Sequence, residues 1–449
     1  MKFEFNQEAN AIVKLVFDDE NLKPGTVRLD TAGDKPTLLL GLGKQDELKT
    51  ASVRKAFFAI PGETIKYGFD SLTIDGLNDP ALLAAAFEGL WMGNYVFTRY
   101  KQDKQADRRL KTLCLVQAEG LEEKLTESRV LMESADFARY LVNSRPIDLY
   151  PETLAQLTKQ ELEPFGVEVE VYGKNKAQEL GLTAFLTVSE GSDKEPQVII
   201  AKYNGAGDEP YGALIGKGLT YDSGGYGIKS TEGMVTMHSD MAGSASVLGA
   251  IRAIAANKVN KNVYGVVLAC ENMIDGSAYK NGDIISSHLG KTIEIDSTDA
   301  EGRLTLADAL SYTEEALKPS YMVDVATLTG AVVIALGDVA AGAVGNNDQL
   351  MKDVLSAADL SDEPIWELPN YDEYKEQYKS TFADLKNTGG RAAGSITAGL
   401  FLGEFVQDTP WAHLDVAGVT YRADKAKPPH PVGASGFGVK ALYQLVKNR

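Results

Sequence analysis

The sequence predicts an α/β protein in two parts: a smaller N-terminal α/β domain and a larger C-terminal domain built on a helix-covered mixed β-sheet. Three observations lead there. The 449 residues exceed what one compact core organises. The first part alternates short apolar runs with helical stretches. Later in the chain the apolar runs become nearly continuous and are separated by helical segments, the pattern of strands buried on both faces of a sheet.

In chain order, PTLLLGLGK and RLKTLCLVQ read as strands, and DPALLAAAFEGLWMGNYVF as a helix. GLGK at 41–44 reads as a tight strand-to-helix turn. The stretch from Glu122 to Leu141 is charged and helical, suited to bridging two domains. Pro151 sits in a first helical turn, Gly166 stops that helix, and VEVEVY alternates with the period of a strand. These signals divide the chain into an N-terminal domain over 1–125, a helical linker over 126–165 and the main domain over 166–449. Within the last, PQVIIAKY, GALIGKG and NVYGVVLAC are predicted strands. DVATLTGAVVIALGD is a predicted buried strand and turn, with an apolar run of about 13 residues that is too short to cross a bilayer. In open sheets of this kind ligands bind beyond the carboxyl ends of the strands, so the polar segments after these strands are where chemistry is expected.

Composition removes several function classes. Sixty-three acidic residues face 45 basic ones, a formal charge of −18. No Lys/Arg-rich cluster supplies the basic face that nucleic acid or an anionic membrane needs, so neither is an expected partner. Two cysteines, Cys114 and Cys270, cannot found a disulfide framework and point to a reducing, cytoplasmic setting. The opening MKFEFNQEANAIVKL carries acids early and lacks the apolar centre of a signal peptide.

Two stretches concentrate reactive side chains. GKGLTYDSGGYGIKSTEGMVTMHSDMAGSAS, 216–246, follows an apolar strand and carries Lys217, Asp222, Lys229 and Asp240 among seven glycines, a density that lets backbone approach a ligand closely. EIDSTDAEGRLTLADAL, 294–310, places Asp296, Asp299 and Glu301 beside a single Arg303 at a helix start. Taken singly, each has an ordinary reading. A loop aspartate is by default a turn or cap residue, Asp299 and Glu301 suit a helix N-terminus, and Lys217 and Lys229 are solvated lysines. Taken together, Asp222, Asp240, Asp299 and Glu301 are available as a carboxylate-rich metal site. Four such carboxylates repel unless cations lie between them, and two divalent ions compensate them in the arrangement usual for hydrolysis. Four histidines without an HExxH or Cys-x-x-Cys pattern argue against a His-rich zinc site. GALIGKG spaces its glycines wrongly for a P-loop, and YDSGG lacks the flanks of a nucleophile elbow. Spacing alone leaves a dinuclear hydrolase open as one reading.

GKGLTYDSGGYGIK, MHSDMAGSAS, STDAEGRLTLADAL, DVATLTGAVVIALG and WAHLDVAGVTY resemble, in order and spacing, the leucyl (cytosol) aminopeptidase family, whose signature is the block TDAEGRL. The resemblance is strong from Asn143 to the C-terminus and faint in the first part, where LLLGLGK is similar. It implies a metal-dependent aminopeptidase, a hydrolase that removes the N-terminal residue, Leu- or Met-like by preference, from peptides with a free N-terminus. The domain over 166–449 would be the catalytic metallopeptidase domain. Lys217, Asp222, Asp240 and Glu301 would hold a tighter divalent ion, and Asp222, Asp299 and Glu301 a looser one, with Lys217 acting as a neutral amine. Lys229 and Arg303 would be the catalytic residues: Lys229 would stabilise the developing oxyanion, and Arg303 would grip a bicarbonate ion through its planar fork. Met237, Thr327 and Gly330 would line the pocket for the N-terminal side chain.

The resemblance further implies two divalent ions per subunit, manganese or zinc with magnesium or cobalt as alternatives, and a cytoplasmic homohexamer. ADLKNTGGRAAGSITAGLFLGEF is similar to the family segment near the site and the subunit contacts. Three departures stand out: His238 replaces a Lys or Arg, DMAGSAS replaces DMGGAA, and Ser297 replaces an Asn. None removes a ligand position; they bear on substrate preference and turnover. Two other readings share the scaffold, a DNA-binding regulatory protein and a catalytically silent member. The charge of −18 opposes the first, and the retained ligand set opposes the second.

Overall fold

The computed structural model describes residues 1–5, 7–102, 109–115 and 120–449. They form two compact units, Met1–Glu133 with Asp424–Gly433, and Ser134–Ala423 with Ala434–Arg449.

The first unit holds a six-stranded sheet of β1 (Lys2–Phe5), β2 (Ile12–Phe17), β3 (Val27–Asp30), β4 (Thr37–Gly43), β5 (Ser71–Asp75) and β6 (Thr112–Leu115), in the order β1-β6-β5-β2-β4-β3. Every neighbouring pair is parallel except β3 with β4. Its helices are α1 (Thr50–Phe57), α2 (Ile60–Tyr67) and α3 (Pro80–Asn94). Local signals set α3: the Asp79 carboxylate accepts from Leu82 N at 2.9 Å, and Pro80 occupies the first turn. PTLLLGLGK and RLKTLCLVQ are strands as predicted, with the VQ of the latter outside the described residues.

Helix α4 (Glu122–Asn143) carries the chain from the first unit into the second. There α5 (Pro151–Leu162) begins at Pro151, and the turn after it closes at Gly166 with φ 82 before β7 (Glu168–Tyr172). The succeeding elements are α6 (Lys174–Glu179), α7 (Thr183–Ser189), β8 (Gln197–Asn204), β9 (Tyr211–Asp222), α8 (Thr231–Met234), α9 (Ala242–Ala256), β10 (Asn262–Asn272), β11 (Ile284–Ser286), β12 (Thr292–Glu294), α10 (Gly302–Tyr312), β13 (Met322–Ala326), α11 (Gly330–Leu336), β14 (Ala341–Gly345), α12 (Asp348–Ser361), β15 (Ile365–Glu367), β16 (Leu385–Lys386), α13 (Gly394–Gly403), β17 (Trp411–Asp415) and α14 (Val439–Asn448).

Eight of these strands form the predicted mixed sheet, in the order β15-β14-β17-β13-β9-β10-β8-β7. The central run β17-β13-β9-β10 is parallel, and the antiparallel pairs lie to either side. Helices cover both faces. Ile215 and Leu268 pack with residues of α7, α10 and α13, while the neighbouring Gly216 and Gly265 face Ser244 and Ile251 of α9. Covering both faces is what makes these strands apolar throughout.

One expectation fails. DVATLTGAVVIALGD is not a buried strand and turn throughout: the strand ends at Ala326, and Gly330–Leu336 is a helix with Ile334 86% exposed. A short apolar run has no periodicity that separates strand from helix, and the local caps decide it. Thr329 Oγ1 accepts from Val332 N at 3.1 Å, and Gly337 ends the helix at φ 68. Among the described residues no helix is long and apolar enough to cross a membrane.

Candidate metal centre

The parallel strands β9, β10, β13 and β17 deliver their carboxyl ends to one place. The pairing of β9 with β10 shifts by one residue between Cys270 and Glu271, which leaves Thr220 without a partner and brings Asp222 opposite Asn272. Lys217 and Asp222, both on β9, are buried. Beyond Asp222 the chain turns through Gly224 and Gly225, at φ 88 and 61. A Cβ on Gly224 would lie 2.6 Å from Gly227 O and 2.8 Å from Asp299 Oδ1, so this position needs glycine for the two ligand-bearing loops to meet. Lys229 follows in the same loop. Asp240 precedes α9, while Asp299 and Glu301 precede α10, with Glu301 in the N-cap position.

These side chains interlock. Lys217 Nζ lies 2.8 Å from Asp240 Oδ2 and 3.0 Å from Glu301 Oε1, and donates to the Thr327 carbonyl at 3.0 Å. Lys229 Nζ joins Asp222 Oδ2 at 2.7 Å to Asp299 Oδ1 at 2.5 Å. Thr327 Oγ1 donates to Asp240 Oδ1 at 2.8 Å. Carboxylate oxygens of Asp222, Asp299 and Glu301 lie within 4.8 Å of one another.

Fully ionised, the four carboxylates would exceed the two ammonium groups by two negative charges in a largely buried place. The titration behaviour follows. Burial pushes Asp240 up to about 8 against the pull of Lys217, with Glu301 adding to the rise. Burial and then Glu301 push Asp222 up to about 6, opposed by Lys229. Burial also raises Asp299, against Lys229. Glu301 goes the other way: burial would raise it, but Lys217 and Lys229 together hold it below the usual range. Burial works against both ammonium groups, yet the carboxylates outweigh it and keep Lys217 and Lys229 charged.

The residues fit divalent cations. The donors are hard carboxylate oxygens in excess negative charge. Among the described residues nothing hydrogen-bonds the buried Glu301 Oε2, which leaves it free to ligate.

This cluster forms one wall of a cavity of about 610 Å³ that is also lined by Met237, Thr327, Gly330, Val333, Ala417, Thr420 and Tyr421. The structure therefore brings together Lys217, Asp222, Lys229, Asp240, Asp299, Glu301, Met237, Thr327 and Gly330. Arg303 is not among the lining residues. It is buried on α10 with its guanidinium 6.0 Å from the Phe401 ring centre, and burial lowers it to about 10 against Glu301 and Asp415. Sequence reasoning missed the Ala417–Tyr421 wall and Asn272. The wall carried a usable signal, since it follows the apolar strand in WAHLDVAGVTY. His238, one of the departures, lies beside the cavity wall. Its Nε2 is 2.9 Å from Arg145 Nη1 and its ring stands edge-on to Tyr421, while burial and then Arg145 push it down to about 4, so it is neutral. Ser297, another, accepts from Asp299 N through its Oγ at 3.2 Å.

A mixed α/β sheet with a buried carboxylate cluster at its parallel strand ends, beside a partly apolar cavity, defines an enzyme scaffold with a candidate metal centre. Residues 136–443 match the catalytic domain of the cytosol aminopeptidase family, and residues 26–104 match its N-terminal domain. The chain is 50% identical over 420 residues to a probable cytosol aminopeptidase of Clostridium tetani, covering 91% of this chain and 87% of that one. It is 40% identical to one of Treponema denticola, covering 99% of each. Among solved structures, the bottromycin maturation enzyme BotP in complex with Mn superposes with a TM-score of 0.90 at 29% identity, over 98% of this chain and 99% of that one. The chain belongs to the cytosol aminopeptidase family.

Proposed function

We propose that this chain hydrolyses the N-terminal residue, Leu- or Met-like by preference, from peptides with a free amino terminus, using two divalent ions. Lys217, Asp222, Asp240 and Glu301 would hold one ion, and Asp222, Asp299 and Glu301 the other. The observation that carries this reading is the convergence of Asp222, Asp299 and Glu301, with Asp240 joined to Glu301 through Lys217 and Glu301 Oε2 unpartnered, at the wall of a cavity large enough for an amino-acid side chain. Such ions, when bound, activate a water at neutral pH and polarise a carbonyl. The Mn complex of BotP supports manganese as one choice, and the hard oxygen donors suit it; zinc, magnesium and cobalt are the others to test.

The chain's own groups supply the rest. Lys217, held as an ammonium among these carboxylates, has to give up a proton to become a ligand. The Lys229 ammonium borders the cavity, where it can donate to a carbonyl oxygen as negative charge develops there. The neutral α-amine of a free peptide has a lone pair to offer a bound divalent ion, and an acetylated peptide lacks it. Met237, Thr327 and Gly330, with Val333 and Ala417, offer the N-terminal side chain a partly apolar lining. Among the described residues Arg303 Nε has no partner, which suits a planar anion such as bicarbonate. Membership of the cytosol aminopeptidase family supports a cytoplasmic homohexamer, and the buried free thiols of Cys114 and Cys270 fit a reducing setting.

The test is release of the N-terminal residue from free and N-acetylated Leu- and Met-peptides, before and after chelation and after adding back Mn or Zn. Cleavage of free peptides only, lost on chelation and restored by metal, is the expected outcome. Equal cleavage of acetylated peptides, or full activity after exhaustive chelation, would sink the reading. Light scattering should find about six times the 48.4 kDa chain mass.

A further inference from the structure

We propose that Asn272 is a positioning residue of the metal centre: from a strand that supplies no ligand, it sets the spacing between Asp222 and the Asp299–Glu301 segment, with Tyr279 sharing its grip on Thr298. The inference rests on the metal-centre reading above.

Asn272 is the last residue of β10 and is fully buried. Without the register shift at Thr220 it would stand opposite Tyr221; with the shift it stands opposite Asp222. Its Nδ2 donates to Asp222 Oδ1 at 2.8 Å and to the Thr298 carbonyl at 3.0 Å. The same amide thus ties a candidate ligand at the end of β9 to the residue just before a candidate ligand in the segment leading into α10. Gly224 N also donates to Asp222 Oδ1, at 2.8 Å. Asp222 Oδ1 is therefore committed to the scaffold, and Oδ2 is the oxygen turned towards Lys229 and the centre.

The far side of the clamp is equally tied. The Thr298 carbonyl also accepts from Tyr279 Oη at 2.9 Å. Thr298 Oγ1 donates to Gly224 O and accepts from Gly227 N, both at 2.7 Å, so the two loops are stitched together on the same residue. The Asn272 carbonyl accepts from Ser223 N at 3.0 Å and Ser223 Oγ at 2.7 Å.

Chemistry favours an amide in this place. A lysine or arginine would orient Asp222 but would add a third cation to the Lys217 and Lys229 ammonium groups already there, offsetting more of the charge that a dication needs. A neutral amide orients the carboxylate and leaves its charge intact. Among the described residues Asn272 Oδ1 has no hydrogen-bond partner, so the side chain is not placed to satisfy itself; its polar contacts run through Nδ2 to the centre.

The test measures Mn²⁺ binding by calorimetry in metal-free wild type, Asn272→Ser and Tyr279→Phe, alongside unfolding temperature and Leu-peptide turnover at increasing Mn²⁺. Asn272→Ser is expected to weaken Mn²⁺ binding about 10–100-fold, the range for groups that orient ligands, and Tyr279→Phe by a smaller factor. In both, excess Mn²⁺ should return kcat towards wild type with KM unchanged, a recovery that general damage to the fold would not show. A folded Asn272→Ser that binds Mn²⁺ within about twofold of wild type, or turnover that stays low at saturating Mn²⁺, would overturn the proposal. If Asn272→Ser does not fold, Tyr279→Phe decides, and unchanged affinity there overturns it. Wild type that binds no Mn²⁺ would overturn the metal-centre reading and this inference with it, a result distinct from a variant that binds like wild type.

Discussion

Gly302 leaves the space that Lys217 fills: a Cβ on Gly302 would stand 2.4 Å from Lys217 Cε and 2.6 Å from its Nζ. The Lys217 amine can reach its place between Asp240 and Glu301 only because Gly302 has no side chain. Gly302→Ala should therefore push the amine away from Asp240 and Glu301. Gly302 is the first residue of α10 and alanine is compatible with that position, so the damage should fall on the centre rather than on the helix. Metal affinity is expected to drop about tenfold or more with native circular dichroism; binding equal to wild type would show that Lys217 can act from another position.

Metal addition should stabilise the protein. Excess Mn²⁺, at about 100 times its dissociation constant, should add about 2.7 kcal/mol to unfolding, and chelation should remove it. Asp299 is the most exposed of the four carboxylates, with 39% side-chain exposure, so Asp299→Ala should fold normally. It should lose much of that thermal shift, and turnover should fall by more than about 100-fold. A full thermal shift in Asp299→Ala would remove it from the ligand set.

Stability should fall with rising pH through His413. On β17, His413 Nδ1 lies 2.6 Å from Asp324 Oδ1 of β13, and Asp324 Oδ2 accepts from Trp411 Nε1 at 2.8 Å. Burial would lower the imidazole, but Asp324 outweighs it and raises His413 above its ordinary 6.5. A raised folded value means this stabilisation is complete below 6.5 and is lost as pH climbs through the folded value. Between those two values the loss approaches about 1.4 kcal/mol for each tenfold fall in proton concentration. Denaturant unfolding from about pH 6 to about pH 9 should show a steeper loss in wild type than in His413→Gln, since the raised Asp240 contributes a fall common to both. Identical pH slopes would contradict it.

The cavity wall should set side-chain preference. Ala417 borders the same space as Met237, Gly330 and Val333. Ala417→Leu adds three carbons there, and each methylene of misfit is worth about 1–3 kcal/mol. We expect kcat/KM for Leu-peptides to fall about tenfold or more relative to Ala-peptides, with little change in metal affinity. An unaltered Leu-to-Ala ratio would place the side-chain pocket elsewhere.

Much of the fold was legible because its signals are local. Asp79 with Pro80 starts α3, Pro151 starts α5, Gly166 closes the turn after it, and VEVEVY alternates as β7. The apolar runs of β8, β9 and β10 correctly implied a sheet covered on both faces. Gly330–Leu336 was misread because a seven-residue apolar run fits a buried strand and a short helix equally, and its outcome rests on the Thr329 cap and on what it packs against. At the site, acids in Gly-rich or helix-start segments marked Asp222, Asp240, Asp299 and Glu301. Asn272 and the Ala417–Tyr421 wall bear no charge and were passed over.

By itself the sequence determined the α/β plan, the order of the main strands and helices, and the family-signature block that carries Asp299 and Glu301, because caps, periodicity and motifs act over a few neighbouring residues. Only the tertiary structure decided which atoms meet. Asp222 and Asn272 are 50 residues apart, and Asn272 and Thr298 are 26 apart. Their contact depends on a one-residue register shift between two parallel strands, and such a shift is decided by the packing of the whole sheet rather than by any local pattern.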